Sequence, residues 1–244
     1  MVQAPQRAAP SAPALARLLA QLADTNVAES SQSLPDRLSQ WLGWTDAIAL
    51  SAALTGEPPA VAPHARAFGR DDANLCASVR SALTRTITRE SAPALMRRDA
   101  RAPAPAAPAD ERADYAEYRQ RYLSLQQAME TDIGQLRARL RVMLAAKTPA
   151  LARLAAVDAI MERSLGARER SLLASVPALL GARFERLRAA DEALAAAQAG
   201  GESAASTPGA WLDGFRREMQ NVLLAELDVR FQPVEGLLAA LRAR

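Results

Sequence analysis

Residues 115–143 read YAEYRQRYLSLQQAMETDIGQLRARLRVM. Within them Tyr115, Tyr118, Tyr122, Leu125, Met129, Ile133, Leu136, Leu140 and Met143 recur at steps of three and four. Side chains at that spacing line one side of a helix of 3.6 residues per turn. The steps alternate as in a heptad, apart from one repeated four that slips the phase. A single helix of about 36 residues is expected, roughly 54 Å long at 1.5 Å per residue. Thr148 and Pro149 then supply a cap and a first-turn proline, so a second helix starts with almost no loop. Leu151, Leu154, Met161, Leu165, Leu172, Val176, Leu180, Phe184 and Leu187 keep its stripe, with polar layers at Asp158 and Arg168. Pro177 lies inside this pattern, removes a helical hydrogen bond and predicts a break near Ser175.

Narrow apolar stripes on two helices joined so tightly should bury one another, and short connections favour antiparallel neighbours. An antiparallel hairpin follows, with Leu140 and Met143 near Leu151 and Leu154 at its closed end. Tyr115 and Tyr122 should face the second helix near Leu172 to Val176. A third helix, capped by Thr207 and opened by Pro208, should add Trp211, Phe215 and Met219 to make a three-helix, coiled-coil-like bundle. Pro233 ends or bends it. The rival arrangement pairs the stripes between two chains, since polar layers can set register and partner number.

Upstream the pattern is shorter-ranged. Residues 1–10 read as disordered. Ser11 and Pro13 open a helix carrying Leu15, Leu18, Leu19 and Leu22, which should stop near Thr25–Asn26. Ser33 caps a second, with Pro35 in its first turn. Gly43 breaks the chain, and Thr45 caps a third helix carrying Ile48, Leu50 and Leu54. After a proline-rich stretch holding Pro58, Pro59, Pro63 and the lone His64, Asp71 or Asp72 caps a helix bearing Leu75, Val79, Leu83 and Ile87; Pro93 interrupts it. Residues 100–109, ARAPAPAAPA, read as a stiff extended linker. The organisation expected is all-α: an N-terminal helical domain over 11–99, a linker over 100–109 and a long-helix bundle over 110–244.

Composition narrows the chemistry. Half of the 244 residues are hydrophobic yet only 4% are aromatic, which suits long helices packed along their lengths. Basic and acidic residues number 30 and 27, so the net charge of +3 is small despite a pI near 9.6. Lys147 is the only lysine; an arginine- and alanine-rich, lysine-poor chain reflects a GC-rich genome whatever the function. One cysteine, Cys76, precludes an intrachain disulfide and, set beside Leu75 and Val79, reads as a buried core residue. One histidine and one cysteine make no zinc site. There is no glycine-rich phosphate loop and no nucleophile–base pairing to build on. No enzyme activity, cofactor, metal or small-molecule substrate is expected. Nor is a membrane span, and the chain is expected in the cytoplasm.

Two features point to partners. Trp41 and Trp44 flank Gly43, and tryptophan is frequent in binding hot spots, although at helical spacing in a small domain core packing is the favoured reading of the pair. Arg137, Arg139 and Arg141 cluster, as do Arg163, Arg168 and Arg170, and Arg183, Arg186 and Arg188. Such patches can neutralise phosphate, but interleaved Glu162, Glu169 and Glu185 favour a solvated face. The segment from Asp46 to Leu54 carries no arginine, lysine, asparagine or glutamine, which argues against a DNA-reading helix. Trp41, Trp44, Arg137 and Arg141 are therefore the partner-binding candidates. A protein partner or self-association is favoured over nucleic acid.

The opening MVQAPQR and the segment SQSLPDRLSQWLGWTDAIALSAAL, Ser31 to Leu54, resemble a β-proteobacterial family of uncharacterised helical proteins, classed as a domain of unknown function. The resemblance covers residues 1–55. The resemblance implies members that are often encoded near an OmpA-like, peptidoglycan-binding protein and a motor-stator-like membrane protein. That implies a cytoplasmic accessory role in an envelope-linked assembly, and it brings no catalytic motif.

Overall fold

The computed structural model describes residues 13–25, 33–57, 69–91, 114–198 and 209–243. They form α1 (Ala14–Leu22), α2 (Leu34–Trp41), α3 (Trp44–Thr55), α4 (Arg70–Ser91), α5 (Tyr115–Ala145), α6 (Pro149–Leu173), α7 (Val176–Gln198) and α8 (Ala210–Arg242). Among the described residues there is no strand. Expectations for Ser11, His64, Pro93, the 100–109 linker and Thr207 lie outside the described residues.

The helix ends follow local chemistry. Ser33 caps α2, its Oγ accepting from Asp36 N at 3.3 Å with Pro35 in the first turn. Thr148 caps α6 by accepting from Leu151 N at 3.2 Å. Asp114 caps α5 by accepting from Ala116 N at 2.9 Å, so the long helix is 31 residues. Other starts differ from expectation. Gly43, not Thr45, is the N-cap of α3, and no side chain bonds there. α4 begins at Arg70, and Asp72 reaches back to accept from Gly69 N at 3.1 Å, the return half of a capping box. α1 stops at Leu22, and the chain turns through Asp24 at φ 52°.

α5 and α6 run antiparallel. Arg137 meets Asp158, Glu130 meets Arg170, and Gln126 Nε2 reaches Leu173 O at 3.4 Å, so positions descend on one helix as they rise on the other. The break ahead of Pro177 occurs at residues 174–175, where α6 ends and α7 begins. Pro233 does not end α8, which runs through it.

The stripe on α5 is buried from Tyr118 to Met143, as its spacing predicts. The stripe on α6 is corrected. Leu154 and Leu172 are exposed, and Ala152, Ala155 and Leu173 are its buried positions. The reason is that α6 has neighbours on two sides: α5 within, and α2 and α3 outside. Tyr122 is also placed differently, since its hydroxyl turns to α8 and not to the 172–176 segment.

α8 is the axis of the molecule. Leu212, Phe215, Met219, Val222, Leu223, Leu227, Phe231, Val234 and Leu237 are all buried, and α5, α7, α4 and α1 pack around them. Phe184, Phe215, Tyr118, Tyr115 and Trp211 form an aromatic cluster with ring centroids 5.0–6.3 Å apart. Leu15, Leu22, Cys76, Leu83 and Ile87 belong to the same continuous core as the long helices. α1 and α4 are thus cladding on α8, whereas α2 and α3 attach to the outer side of α6.

Candidate functional site

A charged network around Glu226 lies in the interior. Glu226 is fully buried on α8, one turn before Arg230, whose side chain is 8% exposed. The Tyr122 hydroxyl donates to Glu226 Oε2 at 2.6 Å, and Gln126 Nε2 donates to both carboxylate oxygens at 3.0 and 3.1 Å. Arg230 Nε donates to Oε1 at 2.9 Å, and its Nη1 reaches Glu169 on α6 at 2.8 Å. Burial, reinforced by the Glu226 charge, pushes the Tyr122 hydroxyl far above the ordinary tyrosine range. The arrangement satisfies a buried carboxylate completely and ties α5, α6 and α8 together.

Arg137 and Arg141, two of the partner-binding candidates, lie in a second network. Arg137 pairs with Asp158 at 2.6 Å, and Arg141 pairs with Asp158 at 3.0 Å and Glu162 at 2.6 Å. Burial works to lower the Arg141 pKa, but the two carboxylates outweigh it and the net direction is upward. These side chains are mostly covered, so their charge is spent inside the hairpin. Other clustered arginines are also engaged. Arg183 forks onto Glu218 at 2.7–2.8 Å, Arg186 meets Asp24 at 2.6 Å, and Arg188 meets Glu185 at 2.8 Å.

Between α5 and α6 a cleft of about 430 Å³ lies over Val229 and Pro233 of α8. Met129, Ile133, Met161 and Leu165 line it, and Gly134 and Gly166 leave it without side chains at two points. Ion pairs bound it at either end: Arg137–Asp158 at one, Arg170–Glu130 and Arg230–Glu169 at the other.

Trp41 and Trp44, the other two candidates, separate. Trp41 is half-buried, with the Arg168 guanidinium 5.8 Å above its ring. Trp44 is 81% exposed at the start of α3. Ile48 and Leu54 on the same helix are 54% and 52% exposed, and α3 has no buried residue. At 100° per residue, Asp46, Ala49, Leu50 and Ala53 make the inner face toward α6. Trp44, Thr45, Ala47, Ile48, Ser51, Ala52, Leu54 and Thr55 make the outer one. Asp46 is the only charge on α3, and it is on the inner side. A helix apolar on all sides belongs in an interior; this one has half its circumference in water.

Ile48 and Leu54 escaped the sequence reading as site residues. Their signal was present in the lack of charge from Ala47 to Thr55, which there served only to argue against DNA readout. Glu226 and Arg230 escaped because an acid and an arginine four apart on a helix usually mark a solvated surface.

A family model described as "Protein of unknown function (DUF3348)" matches residues 1–243. The chain belongs to that family. No curated protein and no solved structure matches it. Among the described residues of this DUF3348 member, no group of three or more His, Cys, Asp or Glu could hold a metal ion. No described helix is long and apolar enough to cross a membrane.

Proposed function

We propose that this protein is a non-catalytic helical scaffold, cytoplasmic, that works by associating with protein through the outer face of α3. The observation that carries the reading is a helix with one charge, turned inward, and with Trp44, Ile48 and Leu54 exposed on the uncharged side. Monomeric proteins seldom keep such a contiguous apolar face in water without a use for it. Leaving each of these side chains exposed forgoes on the order of 1.5 to 3 kcal/mol that burial would supply. The remainder of the structure suits a rigid carrier: α6, which bears α2 and α3, is fixed to α5 and α8 by ion pairs and core packing. The accessory role in an envelope-linked assembly implied by the family resemblance is compatible with such a carrier. The rival reading, arginine patches on nucleic acid, loses support because Arg137, Arg141, Arg183, Arg186 and Arg188 already have carboxylate partners.

The test is quantitative co-purification from cells of the full-length protein and of its Ile48→Glu variant. At least one protein, a differently tagged second copy of this chain counted among them, should accompany the unaltered chain in near-stoichiometric amount and be lost with Ile48→Glu. Identical companions for both forms would sink the reading.

A further inference from the structure

We propose that the occupant of the α3 outer face is a second copy of this chain, with the two α3 helices packed antiparallel about a two-fold axis. The proposal rests on the association reading above and specifies its partner. A two-fold contact must be self-complementary, because the same patch meets itself. The outer face of α3 meets that condition. About the helix midpoint, between Ala49 and Leu50, Trp44 mirrors Thr55, Ile48 mirrors Ser51, Leu54 mirrors Thr45, and Ala47 mirrors Ala52. In an antiparallel pair, mirrored positions of the two helices share a layer. On the seam itself Trp44 therefore packs beside Thr55 of the other copy and Ile48 beside Ser51, while Thr45, Ala47, Ala52 and Leu54 lie along its two edges. Trp44, Ile48, Ser51 and Thr55 follow steps of four, three and four, the seam spacing of a coiled coil.

Charge points the same way. A patch with any net charge would repel its own copy, whereas this face carries none, Asp46 being turned inward toward α6. The antiparallel arrangement also brings opposite helix-dipole ends together. A lipid surface is the other occupant a tryptophan-bearing apolar helix could have. Interfacial helices, however, pair their apolar face with a polar face rich in lysine and arginine; α3 carries neither residue. The contact is small. A 12-residue helix is roughly 18 Å long, so the pair falls in the weak, transient class with a dissociation constant on the order of micromolar.

The experiment uses the purified full-length chain. Sedimentation velocity across a concentration series should show a monomer–dimer equilibrium. Ile48→Glu should weaken it about a hundredfold or more, since each dimer loses two buried side chains and gains two carboxylates. Both positions are exposed, so Ile48→Glu and, as a second variant, Trp44→Ala should keep the far-UV spectrum of the unaltered chain. Ser51→Cys places a thiol beside the axis. Mild oxidation should link two copies through it, and should not link Ser171→Cys, exposed on α6. The native Cys76 is buried at 3% exposure and supplies no background. The proposal is overturned if the chain stays monomeric throughout, or if Ser51→Cys links no faster than Ser171→Cys. Should that happen while companions in cells still depend on Ile48, self-pairing is wrong and the association reading stands.

Discussion

Replacing Arg230 by alanine isolates the cost of the buried network. Among the described residues Arg230 supplies the only cation touching Glu226, with Nε and Nη2 both 2.9 Å from its carboxylate. After Arg230→Ala the carboxylate keeps the Tyr122 hydroxyl and the Gln126 amide, both neutral donors. Glu226 is fully buried behind the arginine, so water entering from the adjoining cleft replaces the lost cation only in part. Removing one partner of a buried ion pair costs about 3–5 kcal/mol, because the remaining charge is left uncompensated. Glu169 loses a partner as well but is partly exposed, so its share is small. The loss is a large fraction of the 5–15 kcal/mol typical of a whole domain. Urea unfolding followed by far-UV circular dichroism measures it as a lowered midpoint at constant slope. Adding Glu226→Gln to Arg230→Ala deletes the charge while leaving an acceptor for Tyr122, and should return about half of the loss or more. If Arg230→Ala costs less than about 1 kcal/mol, or Glu226→Gln gives no recovery, the network does not hold α5, α6 and α8 as argued.

Other consequences are independent of that network. A methyl group at Gly181 would sit 2.8 Å from Tyr115 Cε1, on a ring held by its hydroxyl to the Pro177 carbonyl. Gly181→Ala should therefore destabilise by about 1–3 kcal/mol, and far less in a Tyr115→Ala background. Burial pushes the Tyr115 hydroxyl up to about 12 from the ordinary 10.0, and Tyr122 higher still. A raised folded-state value means stability that is intact below pH 10 and lost as pH climbs through about 12. An alkaline titration should show these tyrosines ionising together with the loss of helix, not as independent groups near 10. Burial likewise raises the Cys76 thiol, so thiol reagents should label it only as fast as the fold opens. Rapid labelling of the native protein would contradict its place on the buried face of α4.

The residues explain how far the sequence could be read. Tyr115 to Met143 announced α5 because one side of a helix packed along its whole length leaves an unbroken period in the sequence. Leu151 to Leu172 misled because α6 is covered on two sides, so alanines take the tight inner contacts while Leu154 and Leu172 reach water. The division between 11–99 and 110–244 follows composition, and the core runs across it through Leu15, Leu83 and Ile87. Arg137 and Arg141 looked like an open patch because their carboxylates are 21 and 17 residues away, on another helix. No pairwise rule along a single helix sees them. Trp41 and Trp44 are three apart and looked equivalent; only the position of α6 beside them decides that one stacks under Arg168 and the other faces water.

The central claim is that the outer face of α3 is covered when the protein works. Hydroxyl-radical footprinting of Trp44 tests it directly, with the full-length chain labelled in intact cells and again as a dilute purified sample. The account predicts strong protection of Trp44 in cells and ready oxidation in dilute solution, with exposed Leu172 on α6 equally reactive in both. Equal oxidation of Trp44 in the two conditions would contradict it.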